Sequence, residues 1–216
     1  MSAPARLLQA MHELLVFPCN GNGIEALDAL AGHFRMLCFV DDAVDKQGRV
    51  VAGHEVHARD AFARHPEAMV LAVPGSPLSY RERRHVIEDL GLPAARFAQV
   101  IHPAARVSPL ATIGHNVLIM AGVVITANAV IGDHVCVLPN TVVHHDVRIG
   151  DWSLVGANVC IAGHTQIGNN CYIGSGSSLM NGVTIGDGAL VGLGSTVIRP
   201  VPRGQRVAGN PARALD

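Results

Sequence analysis

Residues 143–174 read VHHDVRIGDWSLVGANVCIAGHTQIGNNCYIG, and their spacing decides the fold. An aliphatic side chain returns every six positions, at Val143, Ile149, Val155, Ile161, Ile167 and Ile173. The series runs without a miss from Ile101 to Val197. Gly often follows directly, as at Gly114, Gly132, Gly150 and Gly168, and four residues on the side chain is usually small, as at Ala129, Thr141 and Thr165. Neither the two-residue period of a strand nor the 3.6-residue period of a helix produces this pattern. An unbroken hexapeptide repeat is the mark of a parallel β-helix. Each hexad supplies one short strand and a corner, and three hexads close a triangular coil. One coil cannot bury its apolar face alone, so stability comes from stacking.

Residues eighteen apart therefore stack on one face. His145 lies beneath Gly163, and His164 stands one coil beyond the His144-His145 pair, while His115 and His134 belong to other faces. His144, His145 and Asp146 occupy a corner, where side chains are free to point outward.

The first hundred residues follow a different pattern. HELLVF (His12–Phe17) is a short apolar run that ends in the Gly-rich turn CNGNG. IEALDALAGHF has helical spacing at Ile24, Leu27 and Leu30. MLCFVDD and AMVLAVPG read as buried strands, and PLSYRERRHVIEDLG as a surface helix ending at Gly91. Strands alternating with helices imply a small parallel sheet with Rossmann-like connections. The expected divisions are residues 1–100, 101–202 and a tail, 203–216.

The totals set outer bounds. Charged residues are 15% and the net charge is -1 with no Lys/Arg block, so a nucleic-acid footprint is not indicated. The apolar runs are too short for a membrane span. The opening MSAPARLLQAMHELLVF lacks a basic start with a cleavable apolar core and reads as the first strand and its lead-in. Five cysteines, odd in number and without a CxxC pair, suit free buried thiols in a cytoplasmic chain.

A Rossmann-like half, an uninterrupted hexad array, VHHDVRIG and a GNPAR tail (Gly209 to Arg213) occur together in this order. The combination resembles the NeuD/PglD-type hexapeptide-repeat sugar acetyltransferases, including those that N-acetylate nucleotide-linked 4-amino-4,6-dideoxy sugars such as perosamine. The resemblance implies a left-handed β-helix, acetyl-CoA as co-substrate without metal or acyl-enzyme, and a homotrimer with active sites between neighbouring β-helices. On the same resemblance His145 is the general base and Asp146 its partner. Gly163, Ser175 and Asn181 contact acetyl-CoA, with the Gly163 amide holding the thioester carbonyl. Asn20, Gly21, Asn22, Asp41 and Asp42 bind the nucleotide sugar. The chain departs from the family pattern at three places. Pro18 replaces the first Gly of the GxxGxG turn. Leu138-Pro139-Asn140 stands where many members have NTG, and Leu154 where some have a second His.

Other readings stay open at this point. The acceptor is an amine or, as in sialic acid O-acetylation, a hydroxyl. A carbonic-anhydrase-like metalloenzyme would use His144, His145 and His164, and a non-catalytic binding module would show no turnover.

Overall fold

The computed structural model describes residues 11–30 and 32–215. Residues 1–10, which hold most of the expected lead-in, lie outside the described residues.

The amino-terminal sheet contains β1 (His12–Phe17), β2 (Phe34–Val40), β3 (Val50–Val51), β4 (His54–His57) and β5 (Met69–Ala72), in the order β3-β4-β2-β1-β5. The β1, β2, β4 and β5 pairings are parallel, but β3 and β4 form an antiparallel hairpin. The sheet is therefore mixed, not purely parallel. Side chains alternate across it. Leu14, Val16, Phe39 and Leu71 pack against Leu118, Met120, Cys136 and Leu154 of the β-helix. Leu15, Phe17, Val40 and Val70 pack on the other side against Phe62 and Ile87. A β-helix face thus covers one side of the sheet, the role a helical layer has in a doubly wound fold.

Two helices differ from expectation. Helix α1 (Gly21–Glu25) starts inside the Gly-rich turn, three residues before Ile24, because the Asn20 side chain accepts from the Gly23 amide at 2.8 Å and caps it. It continues as a 3-10 turn over Ala26–Leu30. Helix α2 is the short Ala61–Arg64. Helix α3 (Arg83–Glu88), expected on the surface, buries its first residue: Arg83 is 1% exposed. Among the described residues no helix is long and apolar enough to cross a membrane.

From Gln99 onward the chain winds into a left-handed parallel β-helix with three sheets. The docking face, which carries the amino-terminal sheet, includes strands Gln99–Ile101, Val117–Ile119, Cys136–Val137, Leu154–Val155 and Tyr172–Ile173. The second face includes Val142–Val143 and Cys160–Ile161, and the third Arg148–Ile149 and Gln166–Ile167. The eighteen-residue register holds throughout, as in Val143 paired with Ile125 below and Ile161 above. The hexad aliphatics from Ile119 to Val197 are buried in one continuous core.

The small residue four places on also points inward. Thr141, Ser153, Thr165 and Ser177 are fully buried, and their hydroxyls satisfy corner backbone groups. Thr141 Oγ1 donates to Gly156 O at 2.7 Å and accepts from Val159 N at 3.1 Å. Ser153 repeats this with Gly168 O and Cys171 N, both at 3.0 Å. Of the five free cysteines, four are buried as expected, whereas Cys160 is exposed on the second face.

The glycine that follows the aliphatic has a steric cause. Down the corner between the third and docking faces, side-chain oxygens accept from the amide one coil earlier: Asp133 from His115 N, Asp151 from Asp133 N, Asn169 from Asp151 N and Asp187 from Asn169 N, at 2.8–2.9 Å. Each accepting Oδ1 lies where a Cβ at Gly114, Gly132, Gly150 or Gly168 would stand. Any larger residue there would push the ladder apart.

Candidate active site

The corner between the second and third faces turns through a left-handed residue in each coil: Asn128 (φ 60), Asp146 (φ 58), His164 (φ 61) and Gly182 (φ 71). Asn, Asp, His and Gly tolerate that region better than branched side chains do. Stacking then fixes the chemistry. Asp146 receives Asn128 Nδ2 on Oδ1 at 3.2 Å from the coil below, and meets His145 Nδ1 with Oδ2 at 2.8 Å. His164 Nδ1 approaches the same oxygen at 3.9 Å, and its ring stands edge-on to His145, with centroids 4.9 Å apart. The hydrogen bond from His145, then that from Asn128, holds the Asp146 carboxyl below its ordinary range.

The neighbouring column is His145, Gly163 and Asn181. A Cβ at Gly163 would come within 2.7 Å of His145 Cε1 and Nε2 and 3.1 Å of Asn181 Oδ1. With Nδ1 facing the carboxylate, Nε2 is the nitrogen left to accept a proton. Among the described residues the Gly163 N–H donates no hydrogen bond. An imidazole oriented by a carboxylate, beside a free amide on the next coil, can take a proton and steady a developing oxyanion at one place. His144 lies outside this cluster, so the set His144, His145 and His164 does not converge; Asp146 takes the third place.

A second feature lies on the docking face. A cleft of about 310 Å³ is lined by Asn20, Gly21, Asn22, Gly75, Ser76 and Pro77 on one wall and by Leu138, Leu154 and Tyr172 on the other. The Asn20 amide donates to Val73 O at 3.3 Å, and that of Asn22 to Gly75 O at 3.4 Å, which ties the two loops together. A Cβ at Gly21 would meet nothing within 4 Å, so its backbone is open to the cleft.

The hexad array matches the family pattern described as bacterial transferase hexapeptide (six repeats), over residues 110–144, 128–163 and 164–199. No curated protein sequence matches the chain. Among solved structures, it is similar to the acetyltransferase domain of PglB from Neisseria gonorrhoeae FA1090 in complex with acetyl coenzyme A. The identity is 30%, over 95% of this chain and 100% of that one, with a TM-score of 0.84. The chain belongs to the hexapeptide-repeat sugar acetyltransferases. It is also similar to perosamine N-acetyltransferase from Caulobacter crescentus, solved with CoA and GDP-perosamine, at 27% identity, covering 96% and 98% of the two chains, with a TM-score of 0.84. WeeI from Acinetobacter baumannii AYE shares the fold, at 24% identity over 95% and 100%, with a TM-score of 0.80.

In this acetyltransferase the expected site residues fall into separate groups. His145, Asp146, Gly163 and Asn181 come together at one corner. Ser175 does not join them: its hydroxyl accepts from Ala157 N at 3.1 Å on the corner between the docking and second faces. Asn20, Gly21 and Asn22 line the cleft, but Asp41 and Asp42 do not. Asp41 is 4% exposed and turned into the protein, where it binds Cys19 N at 3.0 Å, Ala43 N at 2.9 Å and Lys46 Nζ at 2.8 Å. Asp42 is exposed and paired with Arg59 at 2.7 Å. Among the contributors that went unread in the acetyltransferase sequence are Asn128, beside Asp146, and Tyr172 in the cleft. Each lies eighteen residues from a residue already singled out, Asp146 and Leu154, so the register itself carried the signal. Two of the positions where the chain departs from the family pattern, Leu138 and Leu154, form part of the apolar wall of the cleft, whereas Pro18 does not line it.

Proposed function

We propose that the chain is an acetyl-CoA-dependent N-acetyltransferase acting on a nucleotide-linked 4-amino-4,6-dideoxy sugar. The observation that carries this reading is the 2.8 Å contact of His145 Nδ1 with Asp146, with Nε2 turned to Gly163. The sugar amine is protonated near neutral pH and must lose a proton before it attacks. Nε2 of His145 takes that proton while Asp146 holds the ring and steadies the imidazolium. The C–N bond forms on the thioester carbon, and the Gly163 N–H donates to the oxygen as it gains charge. The nitrogen sheds a second proton as it becomes an amide. The ammonium proton passes from Nε2 to solvent, and the neutral ring then takes the proton of the attacking amine. The imidazolium gives that proton to the thiolate as the C–S bond breaks, leaving amide, free thiol and one released proton. An amine acceptor is supported over a hydroxyl by the likeness to perosamine N-acetyltransferase with GDP-perosamine bound.

The cleft at Asn20, Gly21 and Asn22 is the place for the nucleotide sugar, at the carboxyl ends of β1 and β5, where such crevices form, with Asp41 and Asp42 at the end of the adjacent strand β2. His145 sits at the corner between the second and third faces, opposite the docking face, so the β-helix core separates it from the cleft of its own chain. The base that serves a cleft therefore comes from a neighbouring chain, in keeping with a trimer. The reading is tested by offering acetyl-CoA with a panel of GDP-, UDP- and dTDP-linked 4-amino sugars and their 4-hydroxy counterparts, and measuring free thiol. Turnover confined to the hydroxy sugars would refute the amine assignment, and none with any acceptor the whole reading.

A further inference from the structure

Among the described residues Arg83 pairs with no carboxylate. Its three described hydrogen bonds all go to backbone carbonyls: Nε to Trp152 O at 2.9 Å, Nη2 to His134 O at 2.7 Å, and Nη1 to Pro74 O. Trp152 and His134 are eighteen residues apart, equivalent left-handed corner positions of successive coils. The planar fork of the guanidinium spans those two coils with two donors and leaves the third for Pro74, an arrangement an ammonium cannot copy. Burial pushes the guanidinium's pKa down, so the charge is held at a cost to stability.

Pro74 opens the loop that forms one wall of the cleft. The next residue, Gly75, has φ +113, and a Cβ there would strike Arg83 Cγ at 2.7 Å and Cδ at 2.8 Å. Gly75 O in turn receives the Asn22 amide at 3.4 Å from the facing loop. One continuous set of contacts therefore runs from two β-helix coils through Arg83 to the 74–77 loop and on to Asn22.

We infer that Arg83 is a positioning residue for the sugar-nucleotide cleft, fixing the 74–77 loop at a set height above the β-helix face that supplies the apolar wall. The inference rests on the reading of that cleft as the nucleotide-sugar site. Arg83 is buried and does not line the cleft, so its removal changes affinity for one substrate and not the acetyl transfer itself.

The test uses steady-state kinetics of the full chain with the most active nucleotide-linked amino sugar of the panel, GDP-perosamine being the first tried. Arg83→Lys keeps the charge but loses the fork. Gly75→Ala keeps Arg83 but displaces the loop. Both are expected to raise the sugar KM roughly tenfold, the loss of about one hydrogen bond's worth of positioning, with kcat and the acetyl-CoA KM little changed. A merely structural role would move both KM values together or lower kcat alone, and either result overturns the inference. If Arg83→Lys does not fold, Arg83→Gln takes its place, because Gly75 itself lines the cleft and its variant alone could act directly on the sugar. Asn22→Ala separates this inference from the cleft reading. If it raises the sugar KM while the other two variants do not, the positioning role is wrong and the cleft stands. If none of the three moves the sugar KM, both fall.

Discussion

The imidazole of His145 fills the volume that a side chain at position 163 would need, with Cε1 and Nε2 each 2.7 Å from where that Cβ would stand. The imidazole and the backbone of the next coil are therefore a single sterically coupled unit. Gly163→Ala removes no functional group, yet it must displace the His145 imidazole from its place beside Gly163. We expect a loss in kcat of about a hundredfold, the scale of a 1 Å misplacement, with the sedimentation coefficient unchanged from that of the unsubstituted chain. Near wild-type turnover in this variant would show that the contact is idle.

The three residues of the corner are expected to rank in a fixed order. His145→Ala removes the proposed proton acceptor and should lower turnover by about two to four powers of ten. Asp146→Asn keeps the ring but loses the charge that orients it, and should fall between that and wild type. His144→Ala, outside the cluster, should have the smallest effect. Thiol release for the three variants across pH reads the order directly, and a His145 variant with full activity at neutral pH would remove the central mechanistic claim.

If base and cleft come from different chains, two dead variants should rescue one another. A His145→Ala chain still offers an intact cleft, and a chain crippled at Asn20 and Asn22 still offers an intact base. Refolded together in equal amounts, they should make native pairings at roughly a quarter of interfaces. Activity that stays at the sum of the two separate preparations would mean that each chain works alone.

The hexad was legible because each inward side chain obeys a purely local rule, and the eighteen-residue register followed from it. That register placed His145 under Gly163 before any coordinates. Arg83 was not legible. It lies in RERRH, a stretch that reads as solvated surface, and its burial depends on carbonyls 9, 51 and 69 residues away. Nor could the sequence separate Asp41 from Asp42. One faces inward and the other outward because of where β2 ends against its neighbours, a matter of register between distant strands. The Asp and Asn that follow Ile-Gly at 133, 151, 169 and 187 were visible eighteen apart, but their meaning depends on an amide one coil earlier.

Thr141 offers a test of how the corners are held. Its hydroxyl donates to Gly156 O and accepts from Val159 N, with no solvent exposure. Thr141→Val keeps shape and adds an apolar methyl, but leaves a buried carbonyl and amide unpaired. We expect a destabilisation of about 1–3 kcal/mol, read as a lower denaturant midpoint at an unchanged slope. No loss would mean that water reaches the corner.

His134 should make stability depend on acid. Burial, and secondarily the neighbouring His115, lowers its pKa from 6.5 to about 4. Its Nδ1 meets Asn116 Nδ2 at 3.0 Å, and the same amide holds Ala72 of the amino-terminal sheet. Because the folded pKa lies below the unfolded one, the unfolded chain binds the extra proton first. The contribution is whole above about pH 6.5 and is lost as pH falls toward 4. His134→Gln should flatten the difference in denaturant midpoint between pH 7 and pH 5; an unchanged slope would exclude His134 as its source.

The Asp and Asn ladder at Asp133, Asp151, Asn169 and Asp187 gives the β-helix a direction under load. Each corner amide finds its acceptor on the following coil, so the last coil is the one whose corner no later rung secures. Pulled from the carboxyl end at constant speed, the β-helix should peel one coil at a time, each step releasing eighteen residues, roughly 60 Å of contour. A sawtooth of that spacing, shortened or smeared where Asp151→Ala removes a rung, is the expected force trace; a single rupture would mean that the coils yield together.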